Sequence, residues 1–300
     1  MRRISRRGFV VGSAILAASL GRRARGAEKV DLVDVTGKDP KAMVRAALKE
    51  LGGIGKFVKK GDYVVLKPNV CIGNPPEWGC TTHPDTVVAM AELCLEAKAK
   101  QVLVVDYPLA RPDRCLERSG IGPALAALPA VKVKMLSEQG EFQKVDVKGG
   151  VALKSVELAK DVLSADVLIN LPQAKSHFVA GVSFGLKGAM GIIWDRKAFH
   201  DLDISQTIAD LGLVVKSQLT LLDATRALLT NGPAGPGDVE AVGHIVAGTN
   251  VVSVDAYGLT LARFNQKQMT PMDAPHIALA AKAGLGEIDL SKLKVKKVAV

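Results

Sequence analysis

The sequence predicts an α/β fold, a mostly parallel sheet with helices on both faces, and three observations carry that prediction. Residues 62–106 run strand, loop, helix, strand, a βαβ unit whose right-handed crossover demands parallel pairing. The same rhythm resumes from residue 166 to the C-terminus. The third is size. With 300 residues, 48% hydrophobic and 23% charged, the chain can bury a large core, and residues 28–300 read as one domain. Disorder, a collagenous repeat and a disulfide scaffold are excluded.

The elements follow in order. Residues 30–34 read as a short strand, and residues 40–51 as a helix with Met43, Val44, Ala47, Leu48 and Leu51 on one stripe, stopped by Gly52-Gly53. Residues 62–67 form a buried strand, followed by a long loop, 70–82, rich in Gly, Pro and Cys. Thr82 is expected to cap a helix reaching residue 99, with Pro84 at its first position and Asp85 in its first turn. Residues 101–106 are the next strand. Residues 131–136 and 142–147 alternate like antiparallel strands, so a small antiparallel insertion is expected near 131–157. Beyond it come a strand at 166–170, a glycine-containing helix at 180–193, a helix at 201–216 and a strand at 219–223. A Gly-Pro loop at 232–237, a strand at 244–247, helices at 251–264 and 273–283, and a strand at 295–300 complete the chain.

Charge separates the leader from the body. The formal net charge is +10, but residues 1–27 hold seven arginines and no acid, leaving 33 basic against 30 acidic residues elsewhere. That near-neutral remainder, with 4% aromatic residues, argues against nucleic-acid binding. Ser5-Arg6-Arg7-Gly8-Phe9, the apolar run 9–20 and the basic stretch 21–26 read as a twin-arginine signal peptide cleaved near Ala27. The expected product is periplasmic or otherwise extracytoplasmic. It meets the twin-arginine translocase during export and is not an integral membrane protein after cleavage; a retained anchor is the alternative. Such a signal implies folding, and often cofactor loading, before export. The cysteines are spaced C-x8-C-x13-C-x20-C, which matches neither a ferredoxin run nor a paired zinc motif. An oxidising compartment leaves a Cys71–Cys80 disulfide open.

Ligands of parallel sheets bind beyond the carboxyl ends of the strands. Polar residues cluster at four such ends here, giving Lys67, Asn69, Asp106, Asn170, Lys175 and Asp223 as substrate-binding candidates, with His83 at a helix start. Each alone is equally a turn former or a solvated charge. Together they suit a small anionic molecule. Gly181, Gly185, Gly188 and Gly191 are costly in a helix, by roughly 1 kcal/mol each, so something must approach that backbone closely. Lys187 among them is the leading catalytic and cofactor-binding candidate, because a desolvated ammonium loses basicity and gains nucleophilicity. His177 is the acid/base candidate and His200 the metal ligand, although neither sits in a local metal motif. His244 and His276 read as filler in apolar patterns.

The succession Leu66-Lys67-Pro68-Asn69, Thr82-His83-Pro84, Asn170 to His177, Gly185-Leu186-Lys187-Gly188, His200-Asp201, Asp223-Ala224 and Val254-Asp255 resembles the domain-of-unknown-function family 362 over nearly all of residues 60–285. Some members of that family carry iron–sulfur modules, and this chain lacks their cysteine run. His177, Lys187 ten residues later, and then His200 are also similar to a stretch of the nickel-pincer lactate racemases. That resemblance implies a nickel-pincer nucleotide or other metal group held by Lys187, with Gly185 and Gly188 beside it. It further implies a metal ligand in His200 and an acid/base group in His177. Phe184 stands where those enzymes carry glycine, and the interval from Lys187 to His200 is shorter. The expectation is an exported cofactor- or metal-dependent enzyme acting on a small carboxylate, with racemase-, epimerase- or oxidoreductase-like chemistry. The competing expectation is a non-catalytic ligand-binding protein, or a redox partner in an exported iron–sulfur electron-transfer system.

Overall fold

The computed structural model describes residues 30–300; the signal peptide assigned to residues 1–27 lies outside the described residues. The first half of the chain builds β1 (Leu32–Thr36), α1 (Pro40–Glu50), β2 (Tyr63–Pro68), α2 (Pro84–Glu96) and β3 (Gln101–Asp106). Then come α3 (Pro112–Arg118), α4 (Ile121–Leu125), β4 (Val131–Met135), β5 (Phe142–Asp146) and β6 (Ser155–Ala159). The second half adds α5 (Lys160–Ser164), β7 (Val167–Leu171), β8 (Gln173–His177), β9 (Gly181–Val182), α6 (Gly185–Gly188), α7 (Arg196–Asp201) and α8 (Ile204–Leu211). Last are β10 (Leu219–Leu228), β11 (Val239–Glu240), β12 (His244–Gly248), α9 (Val251–Gly258), α10 (Pro275–Lys282) and β13 (Val295–Ala299).

Eleven strands form one mostly parallel sheet. Its path runs β13, β1, β12, β10, β7, β2, β3, β4, with β8, β9 and β11 appended near β10. From β10 through β7, β2 and β3 to β4 each pairing is parallel, while β12 runs against both β10 and β1. Period-2 alternation sends Val64, Leu66, Val102 and Val104 to the face covered by α1 and α2. Val65, Leu103, Val105 and Leu168 point the other way, against Phe142 and Ile192. Further along that second face Leu222 and Val246 meet α8, α9 and α10. Among the described residues no helix is long and apolar enough to cross a membrane.

Several boundaries differ from the sequence reading, each for a physical reason. The antiparallel insertion is the β5–β6 pair, whereas β4 joins the main sheet parallel to β3, where a βαβ crossover through α3 and α4 delivers it. The cap of α2 is His83, whose Nδ1 accepts from Asp85 N at 3.1 Å. Thr82 Oγ1 accepts from Asn69 N at 2.9 Å and donates to Leu171 O at 2.7 Å, tying β2 to β7. Residues 180–193 are not one helix: a short hairpin holds Gly181 at φ +77°, and only 185–188 are α-helical. A side chain at Gly181 would also meet Asp273 O at 2.4 Å. The helix expected at 201–216 is the shorter α8, started by the Asp203 cap, and a separate short helix, α7, precedes it behind its own aspartate cap, Asp195. His244 is more than filler, its Nδ1 lying 2.7 Å from the buried Asp34 carboxylate, which Tyr257 also bonds.

Candidate functional site

Parallel pairing brings the carboxyl ends of β2, β3 and β7 to one edge, and the polar residues that follow them meet there. Lys67 and Asp106 form a pair at 3.1 Å, with side chains only 2% and 1% exposed. Lys67 Nζ also donates to Pro68 O at 2.6 Å. The Asp106 carboxylate accepts from Val70 N at 2.7 Å and Tyr107 N at 3.0 Å, so its lone pairs are largely engaged by the protein itself. Gly191 lies against this pair; a Cβ there would sit 2.1 Å from Asp106 Oδ1 and 2.6 Å from Lys67 Cε. That close approach is why the position excludes a side chain.

β8 carries the next two groups. Lys175, almost fully buried, donates to Cys80 O at 2.6 Å. His177 ends the strand, and its Nδ1 accepts from Val179 N and Ala180 N, both at 3.2 Å, in the turn toward β9. A neutral imidazole accepting at Nδ1 carries its proton on Nε2. Burial and the neighbouring charges of Lys187 and Lys175 push its pKa down to about 3. The ring is therefore a neutral donor throughout the physiological range.

Past the hairpin, the buried Asp255 of α9 accepts from Gly185 N at 2.8 Å and Leu186 N at 2.9 Å, and so fixes the start of α6. Burial raises that carboxyl to about 7 against the opposing pull of the two N–H groups. Two residues further on stands Lys187, whose amine has no hydrogen-bond or ion-pair partner among the described residues. Burial lowers its pKa to about 8, with Lys175, Arg196 and Lys67 lowering it further and Cys71 opposing them. Near neutrality a useful fraction of this amine is unprotonated and nucleophilic.

These groups line a cavity of about 190 Å³. Eight of the residues singled out by sequence are on its wall: Lys67, Asn69, Asp106, Lys175, His177, Lys187, Gly188 and His200. His200 is at the exposed rim, its pKa lowered by partial burial and by Lys187. Four predicted residues lie elsewhere. His83 caps α2, and Asp223 accepts from His83 N at 2.7 Å and Thr86 Oγ1 at 3.1 Å, fastening that cap to β10. Asn170 donates to Gly185 O at 3.0 Å, so both support the backbone behind the cavity.

Arg196 is the charged wall residue that the sequence reading missed. It stacks on Tyr107 at 4.1 Å and donates to Tyr107 O and Pro108 O at 3.0 and 3.1 Å. One signal was available: an arginine in the first turn of a helix opposes the macrodipole, a local inconsistency that often marks a functional position. Cys71, also on the wall, carried no pattern. All four cysteines are free, so Cys71 and Cys80 are not bridged.

The wall thus sets four cations, Lys67, Lys175, Lys187 and Arg196, against the single carboxylate of Asp106. An anion entering there meets an uncompensated positive field in a partly desolvated space. Among the described residues no group of three or more His, Cys, Asp or Glu is arranged to hold a bare metal ion. An unpartnered lysine amine and a rim imidazole do fit a group that brings its own metal donors and needs one covalent anchor.

The sequence profile of a family described as Domain of unknown function (DUF362) matches residues 64–260. A thylakoid-associated protein of Synechocystis sp. is 31% identical over 252 residues, covering 81% of this chain and 75% of its own. Among solved structures, the lactate racemase apoprotein from Thermoanaerobacterium thermosaccharolyticum aligns with a TM-score of 0.44 and 13% identity, over 66% of this chain and 51% of that one. A protein from Thermotoga maritima aligns with a TM-score of 0.40 and 12% identity, over 82% of this chain and 60% of its own. This chain therefore spans about half the length of the first of these two structures and 60% of the second.

Proposed function

The chain belongs to the DUF362 family, and within it we propose an exported, cofactor-dependent enzyme that binds a small carboxylate. The observation that carries this reading is the four-to-one excess of cations over carboxylates on the cavity wall. Lys67 is already paired with Asp106 and Lys187 is kept for the cofactor, so Lys175 and Arg196 are the groups that neutralise the ligand. His177 donates its Nε2–H to an oxygen of the same molecule.

Lys187 would anchor such a cofactor, and His200 at the rim would offer an imidazole to its metal. A nickel-pincer nucleotide held there would supply reversible hydride chemistry of the kind a racemase or epimerase needs. With Lys187 occupied its charge would be lost, one of the causes that, after burial, depress His177, and His177 would then carry a proton more readily.

The experiment is intact-mass spectrometry with elemental analysis on mature protein from its own exporting host. A mass increment mapping to Lys187 with near-stoichiometric metal, and loss of both in Lys187→Ala, is the expected result. An unmodified, metal-free chain that still binds carboxylates would leave a binding protein in place of the enzyme. The same spectrum tests export, since the mature chain should begin near residue 28.

A further inference from the structure

The cavity has two chemically different ends. Its floor is polar and buried, formed by Lys67, Asp106, Asn69 and Lys175. Its mouth is open and, beside His200, carries bare apolar side chains, Leu109 66% exposed and Phe178 79% exposed, with Ile72 and Pro233 half-buried on the same wall. Phe178 stacks on His177 with ring centroids 5.1 Å apart and planes at 12°, an offset parallel contact that sets it beside the imidazole on the cavity wall.

Large apolar side chains left bare at a cavity mouth forgo roughly 25 cal/mol for each Å² they could bury, and contiguous groups of them mark a surface that something covers. A bare acetate- or lactate-sized anion would satisfy the cations and leave that mouth in water. Resting on the carboxylate reading of this cavity, we propose that the ligand is a monocarboxylate bearing an apolar substituent, an aryl or branched alkyl group. Its carboxylate lies on Lys175 and Arg196, and its apolar end lies against Leu109, Phe178, Ile72 and Pro233.

Isothermal titration of the full mature chain with propionate, 3-phenylpropionate and the uncharged 3-phenylpropanol tests this. 3-Phenylpropionate should bind about tenfold or more tighter than propionate, and clearly tighter than the alcohol. Phe178→Ser and Leu109→Ser, both at exposed positions and checked for native circular dichroism, should narrow the ratio between the two acids at least threefold. Equal affinity for the two acids, or a ratio unmoved by both substitutions, overturns the apolar subsite while leaving the anion site standing. An alcohol that binds as tightly as its acid overturns the anion reading instead, and no binding of either acid overturns both.

Discussion

Asp106→Asn removes one partner of a buried ion pair while keeping its shape. In the native protein Lys67 Nζ lies 3.1 Å from Asp106 Oδ1 with both side chains almost wholly out of water, and three further cations share the same cavity wall. Breaking such a pair leaves an uncompensated buried charge and costs about 3–5 kcal/mol, whereas replacing both partners by neutral groups costs far less. The amide must also turn an N–H toward either Lys67 or the backbone N–H of Val70, two donors facing one another. With a urea m-value of about 3 kcal/mol/M, the unfolding midpoint of Asp106→Asn should fall by about 1–2 M. The double variant Lys67→Met with Asp106→Asn should recover most of that loss. The assay is urea denaturation followed by far-UV circular dichroism on wild type, both single variants and the double. A midpoint shift under about 0.3 M, or single effects that simply add, would show that the pair does not hold this floor together.

Other predictions follow from the same geometry. His177 and the fully buried His276, whose two ring nitrogens have no partner among the described residues, are both depressed to about 3. The unfolded chain takes up protons near 6.5 that the native state refuses, so stability is lost as pH falls from 6.5 toward 3. Asp255, protonated up to about 7 in the fold, offsets one of the two, while the lowered His83 and His200 add to the loss, so a net fall in stability toward acid remains. Midpoints that stay flat between pH 6.5 and 4.5 would contradict that pairing of signs. Lys187→Met should raise the pKa of His177, read by NMR titration of its ring protons, because a positive neighbour is removed; an unchanged or lowered value refutes the coupling. In native protein, iodoacetamide should alkylate Cys71 well before the buried Cys80, Cys94 and Cys115, and the modified protein should lose carboxylate binding. Gly191→Ala should cost at least 2 kcal/mol in the same urea assay, since its Cβ has no room beside Asp106 and Lys67.

The βαβ core was legible because its signals are local. β3 falls at residues 101–106 as expected, and α1 begins at Pro40 behind an Asp39 cap. The buried strand β8 was not, because its sequence Gln-Ala-Lys-Ser-His carries no apolar alternation. Only the company of β10 and the cavity wall makes a buried strand of it. Polar residues at strand ends were all visible in the sequence, yet they divide into two kinds that look alike there. Asp223 and Asn170 complete backbone hydrogen bonds, while Lys175 and Lys187 face the cavity.

By itself the sequence determined the alternation of strands and helices, the parallel sheet and the chemical types present at its carboxyl edge, because periodicity, caps and charge are properties of neighbouring residues. Tertiary structure alone decided that Arg196, some 90 residues beyond Asp106 in the chain, lines the same cavity wall, and that Lys187 has no hydrogen-bond or ion-pair partner among the described residues. It also decided that Phe178 and Leu109 share one mouth. Those are relations between distant segments, fixed by which strands pair and which face each side chain is given, and no local pattern encodes them.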